Sequence, residues 1–267
     1  MRTNSRMDRA RQAATIVGVV LQVGGGALAG GSVGRVSAEN PTLVVPADYA
    51  FVVWGPIFAL SLAYSVYQAL PQQRQNPLLR RVGWFVAGAF AGNGLRQILF
   101  PAELFVASQA LLAGIVACAV AALLGLGLGR VYRERGLGWA DRWLVALPVG
   151  LFAGWVTAAV FVGVATTLVG TGFLDGGPFE AILGVILLIV GVVVASVVVR
   201  SARRGRAQGY VAYAGAVLWA LVAVVANQYD ASSITTVAAA LGVVLVALAL
   251  LAPLRSRGPR NAMRNAS

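Results

Sequence analysis

The chain has 267 residues, 59% of them hydrophobic and 11% charged, and its formal charge of +12 comes from 21 arginines, with no lysine, against nine carboxylates. In a soluble protein so large a basic excess suggests nucleic acid. Here the arginines fall in short segments between long apolar runs, where they serve as topology signals and contacts to anionic lipid, so no nucleic-acid partner is expected. With no histidine and one cysteine, disulfides, zinc sites and the common nucleophile and base pairings cannot be built.

Apolar runs able to cross a bilayer core of about 30 Å, roughly 17 to 25 residues each, occur at 13–34, 49–70, 82–100, 104–128, 143–169, 181–199, 210–227 and 232–252. The first follows Arg2, Arg6, Arg9 and Arg11 and contains Ala27-Leu28-Ala29, which imitates a signal peptide. Its apolar part exceeds the roughly 7 to 15 residues of a signal core, so it reads as an uncleaved helix; cleavage near Gly30 would leave seven spans. The second opens with Asp48, Tyr49, Phe51 and Trp54, and the third closes with Asn93, Arg96 and Gln97 at positions i, i+3 and i+4 of one helix face. Cys118 lies in the middle of the fourth, as a structural thiol. The pairs Gly26/Gly30, Gly88/Gly92 and Gly150/Gly154 have the spacing that lets helix backbones approach. They read first as packing inside the bundle and second as a homodimer contact. The seventh span ends on Asn227 and Gln228, and the eighth begins with Ser232, Ser233, Thr235 and Thr236.

Basic residues in short loops stay cytoplasmic. The amino terminus, the segments with Arg74, Arg80 and Arg81, with Arg130, Arg133, Arg135 and Arg142, and with Arg200, Arg203, Arg204 and Arg206, and the tail with Arg255, Arg257, Arg260 and Arg264 hold 19 of the 21 arginines. The alternate connections hold Arg35 with Glu39, Asp48, Glu103, Asp175, Glu180 and Asp230. Both termini are therefore expected in the cytoplasm. All carboxylates fall in connections or at helix ends, which disfavours an ion-coupled pump or an enzyme. The methionines, Met1, Met7 and Met263, lie in the tails, so the usual axial ligands of a tetrapyrrole metal are absent from the spans.

In this orientation the polar groups gather in the outer half of the bundle. Arg96 has two readings: a snorkelling side chain only about 6 Å of helix rise from Pro101, or a cation facing the interior beside Asn93 and Gln97, able to hold a ligand carboxylate. Tyr49, Trp139 and Trp143 suit interfacial anchors, whereas Trp54, Trp155 and Trp219 lie deeper.

The stretch Pro46-Ala-Asp-Tyr-Ala-Phe-Val-Val-Trp-Gly-Pro-Ile-Phe58, followed by Tyr64 and Tyr67, resembles the tryptophan-rich sensory protein family, also called TspO/MBR or translocator proteins. Phe51-Val-Val-Trp54-Gly-Pro-Ile-Phe58 is similar to the F-x-x-W-G-x-I-Y run of a longer bacterial branch. Gly92-Asn93-Gly-Leu-Arg96-Gln-Ile-Leu-Phe100 resembles the L-N-x-x-W-x-x-x-F motif, with Arg96 at the tryptophan. Leu147-Pro148 followed by Gly154-Trp155-Val-Thr157-Ala-Ala159 resembles L-P…W-V-x-x-A, with Gly163 at a later asparagine. The two departures put inherited ligand specificity in question. The resemblance covers residues 13–169. It implies a five-helix bundle, often homodimeric, with a pocket beneath the loop joining its first two helices for porphyrins, sterols or synthetic aromatic ligands.

The chain is thus read as an all-α polytopic transmembrane helical bundle of about eight spans in the plasma membrane. Residues 1–12 form a cytoplasmic tail, 13–169 the five-helix unit, 170–252 a three-helix extension and 253–267 a second cytoplasmic tail. The expected function is binding of a bulky apolar ligand, porphyrin-like or sterol-like, in an outer-half cavity, as a sensor or translocator. Phe51, Trp54, Phe58 and Trp155 supply ring surface; Asn93, Arg96 and Gln97 supply polar orientation. No catalytic residue, metal ligand or required cofactor is expected, and the partners are membrane lipid and a hydrophobic small molecule. A transporter of such a molecule is the first alternative, and a structural or regulatory membrane partner without a small ligand is the second. A porphyrin-modifying enzyme comes third. Reporter fusions at each connection are expected to return eight spans with both termini cytoplasmic, and an external carboxyl terminus would overturn the helix count.

Overall fold

Without water to bond to, a membrane-crossing backbone must satisfy its polar groups within the segment, which a helix does. The computed structural model describes residues 2–29, 31–128, 137–174, 178–204 and 207–252. Arg130, Arg133, Arg135, Arg206, Arg255, Arg257, Arg260, Arg264, Asp175, Gly30, Met1, Met263 and the 253–267 tail lie outside the described residues. The main helices are α1 (Arg2–Ala29), α2 (Ser32–Glu39), α3 (Trp54–Ala69), α4 (Pro77–Leu99), α5 (Phe105–Gly125), α6 (Leu147–Gly170), α7 (Pro178–Arg204), α8 (Tyr210–Gln228) and α9 (Ser233–Leu251).

Among the described residues, seven segments have the length and apolar composition to cross a membrane, and these hold all the main helices but α2 and α4. The chain is an all-α, multi-pass membrane protein. The remaining expected span, the third, is α4, which has 23 residues, about 34 Å of rise. It is long enough, but Arg80, Arg81, Asn93, Arg96 and Gln97 dilute its apolar character. It packs between α1 and α5, where protein rather than lipid meets much of its surface.

Two expectations at the amino terminus change. Residues 2–12 continue α1 instead of forming a tail. The 13–34 run is not one helix: α1 ends at Ala29, Gly31 adopts a left-handed φ of 84°, and α2 starts afresh at Ser32. Glycine tolerates that conformation because it has no Cβ.

Arg11 also departs from its reading as a loop signal, because its side chain is fully buried between α1, α3 and α4. Its guanidinium donates to Gln68 Oε1 at 3.4 Å and to the Arg74 carbonyl at 3.2 Å, while Gln12 Nε2 donates to the Gln68 carbonyl at 2.6 Å. One turn earlier Asp8 pairs with Arg80, whose Nε donates to Oδ1 at 2.8 Å. The charge is tolerated there because carbonyls and amides at the helix ends replace water. At the same end, Arg203 donates to the Ala249 carbonyl of α9 at 2.7 Å, so α1 begins and α9 ends on one side.

Before α6 the chain forms one π turn over Arg142–Ala146, where the Leu147 amide donates to the Arg142 carbonyl five residues back. Pro148 has no amide hydrogen for the next bond, which favours this local widening. Asp141, just upstream, accepts from Tyr67 at 2.9 Å and ties this corner to α3.

A single core cluster runs from Val19 in α1 through Phe90 and Phe152 to Val246 and Ala249 in α9. α7 and α8 pack on α6 and on each other, and α9 packs on α7 and α8. Glycines bring backbones together at two seams. Gly150 and Gly154 of α6 sit on the backbone of Gly209 and Tyr213, and Gly94 of α4 sits on Leu21 and Gln22 of α1.

A Cβ at Gly94 would lie 2.8 Å from the Gln22 amide nitrogen, whereas one at Gly24 meets nothing within 4 Å. Gly94→Ala is therefore expected to destabilise by about 1–3 kcal/mol. Gly24→Ala should be neutral or stabilising by up to about 1 kcal/mol, from helix propensity. Thermal melts in detergent check the order, and equal midpoints would contradict the close approach.

Candidate functional site

Ahead of α3 the chain winds as a 3-10 helix over Asp48–Val53. At three residues per turn, side chains three apart eclipse, so Phe51 and Trp54 project to the same side. Both rings meet Trp155 of α6 edge-on, with centroids 6.0 and 6.2 Å away and interplanar angles of 86°. Edge-to-face geometry is the favoured arrangement for such ring pairs.

These three rings form one wall of a cavity in the half of the bundle away from the buried Arg11. Ser37 of α2 and Val44 and Pro46 of the following segment roof it; Arg96 of α4 and Phe100 just past that helix bound one end. The remaining walls come from α6, α7 and α8, including Thr157, Phe161, Leu187, Gly191, Val217 and Val224. The space between the walls is about 960 Å³ with its mouth included, of which about 90 Å³ can hold the centre of a water molecule. The smaller figure is the one that compares with cavity volumes, and it makes the space narrow.

The roof is held by α8. Ala47 donates its amide to the Ala223 carbonyl at 3.0 Å, Asn227 Nδ2 donates to the Val45 carbonyl at 3.1 Å, and Gln228 Nε2 donates to the Thr42 carbonyl at 3.4 Å. Trp219 Nε1 donates to the Ala50 carbonyl at 3.0 Å, and its ring packs edge-on against Tyr49 at 5.5 Å.

Arg96 does not snorkel: its side chain is buried, with 7% of the residue exposed, and it lines the cavity. The guanidinium carbon lies 4.9 Å from the Phe100 ring centroid, a cation–π contact. Among the described residues it belongs to neither ion pair, and its Nε has no acceptor. Trp155 Nε1, also on the wall, is a second buried donor without a partner. Thr157 and Thr166 donate to the carbonyls of Ala153 and Val162, at 2.7 and 3.1 Å, so their hydroxyl hydrogens are used. The buried nitrogens of the lining without a partner, Arg96 Nε and Trp155 Nε1, are both donors.

Of the expected site residues, Phe51, Trp54, Arg96 and Trp155 line the cavity, and Phe58, Asn93 and Gln97 do not. Phe58 stands one layer behind, stacked on Trp54 at 5.4 Å with an interplanar angle of 28° and pressed against Gly26 of α1. Gln97 turns to α1, donating to the Gln22 carbonyl at 2.8 Å. Asn93 is buried with neither side-chain atom paired. The cause is angular: successive helix residues point about 100° apart. On α4 the side chain of Arg96 turns to the cavity and that of Gln97 to the α1 seam.

At Gly163, which stands for an asparagine in the resembled pattern, α5 supplies an amide instead. The carboxamide of Gln109 occupies the space a Gly163 side chain would take and donates to the Val160 carbonyl at 2.9 Å. Sequence reading also missed the α7 and α8 walls and the roof clamp. Its only signals were Asn227 and Gln228, read as outer-half polarity, and Trp219, read as lying deeper than an interfacial anchor.

A family model described as TSPO-like protein matches residues 12–251, spanning all eight long helices. No curated protein and no solved structure matches the chain.

Proposed function

From a chain that belongs to the TSPO-like protein family, we propose a binding protein that holds a mostly apolar ligand, tetrapyrrole-like or sterol-like, in the outer-half cavity and acts as a sensor or translocator in the plasma membrane. The observation that carries this reading is the cavity itself: apolar walls, the Phe51–Trp54–Trp155 ring cluster and one buried cation without a counter-ion. Ring faces and edges suit an aromatic or polycyclic body. A buried guanidinium without a carboxylate is costly in a medium of low dielectric, and an acidic ligand group relieves that cost. An enzyme is not proposed, since the polar side chains on the lining, Arg96, Ser37, Thr157, Thr166 and Trp155, include no conventional general base. Membrane lipid, and a second copy of the chain, remain the proposed partners.

Tryptophan quenching with an anionic porphyrin and its uncharged ester tests the reading on wild type, Arg96→Lys and Arg96→Ala. Lysine cannot reproduce the planar fork of arginine. Loss of a charge-assisted contact costs about 1.5–3 kcal/mol, so both variants are expected to weaken the anion roughly 10- to 150-fold. The ester should change little, with thermal stability held. Wild-type protein that quenches with neither porphyrin would remove the tetrapyrrole reading.

A further inference from the structure

The cavity is long and thin rather than round. On α6 its lining runs from Trp155 to Thr166, and on α7 from Leu187 to Ala195, about 16 Å and 12 Å of helix rise. It therefore extends from Arg96 and Phe100, near the outer end, toward the middle of the bundle. Its exposure is uneven. Trp155, Val192, Ala195, Val217 and Val224 are buried, whereas Ala158, Ala159, Phe161 and Val162 of α6 and Leu187 and Gly191 of α7 are partly exposed. The opening thus lies along the α6–α7 seam, on a surface otherwise covered by exposed Ile182, Ile186, Ile189 and Val193. In that seam Phe161 packs where Gly191 has no side chain; a Cβ there would lie 3.0 Å from the ring. A space reached through such a seam is filled from the bilayer rather than from water.

Resting on the cavity reading above, we infer that the same site takes a single-chain amphiphile with one carboxylate, admitted sideways from the bilayer at the Phe161–Gly191 seam, its head on Arg96 and its chain along α6 and α7. The chemistry follows from what the walls lack. The lining leaves buried donors unpaired at Arg96 Nε and Trp155 Nε1, which asks for an acceptor-rich head and disfavours a cationic one. A guanidinium fork fits a carboxylate. A narrow apolar space admits one chain more readily than the paired chains of a bilayer phospholipid. Such an acid would compete with a tetrapyrrole for Arg96.

The test uses the full chain in detergent, with cis-parinaric acid and its methyl ester as probes read by energy transfer from tryptophan. Wild type is expected to bind the acid at least about tenfold more tightly than the ester, the size of one charge-assisted contact. Arg96→Leu should abolish that preference. Gly191→Leu, which puts a side chain against Phe161, should weaken acid and ester alike; Leu187→Trp narrows the same seam if the glycine variant melts early. An anionic porphyrin should displace the acid. Equal binding of acid and ester by wild type overturns the inference, as does indifference to both seam variants. Porphyrin quenching that persists without acid binding sinks this inference and leaves the proposed function standing. Acid binding without porphyrin binding does the reverse, and failure of both ligands removes both.

Discussion

The half of this bundle away from the buried Arg11 depends on α8 holding the segment between α2 and α3. That segment has no helix or strand before Asp48, so its backbone groups need partners from elsewhere. Asn227, Gln228, Trp219 and the Ala223 carbonyl provide them. Each hydrogen bond contributes about 0.5–1.5 kcal/mol net in ordinary surroundings. Together they decide where the 3-10 turn begins, and the turn aims Phe51 and Trp54 at Trp155. The roof, the ring cluster and the cavity under them follow from one set of contacts between the second and seventh spans.

This coupling explains why the last three helices are not an appendage. Gly150 and Gly154 let α8 approach α6 backbone to backbone, and α7 and α8 then complete walls that the first five spans leave open. One core cluster crosses the boundary at residue 170. The family match likewise continues to residue 251.

Charge is handled differently at the two ends. At the arginine-rich end Arg11 is buried but donates to Gln68 and to a carbonyl, and Asp8 is paired with Arg80. At the other end Arg96 has a ring face and no counter-ion among the described residues. In the first arrangement Arg11 makes two hydrogen bonds within the chain, with its Nε left over, and serves packing. The second leaves strong donor capacity directed at empty apolar space, which is the difference between a structural cation and one suited to a ligand.

The sequence by itself located the apolar runs and the arginine-rich segments between them, and with them an all-α multi-pass bundle, because bilayer thickness and the cost of moving charge act on local composition. It also picked out Phe51, Trp54, Arg96 and Trp155, which line the cavity. It could not separate Arg96 from Gln97, since a shared helix face spans more than 100° and only the neighbours of α4 decide which edge meets the cavity and which meets α1. It misread Arg11 as a loop charge because the carbonyl and amide that accept it come from residues 57 and 63 positions away. It placed one helix over 13–34 because hydropathy does not register the left-handed turn at Gly31. The roof clamp and the α7 and α8 walls were decided by tertiary structure alone: they depend on contacts as many as 186 positions apart in the chain, and no local pattern encodes a partner at that distance.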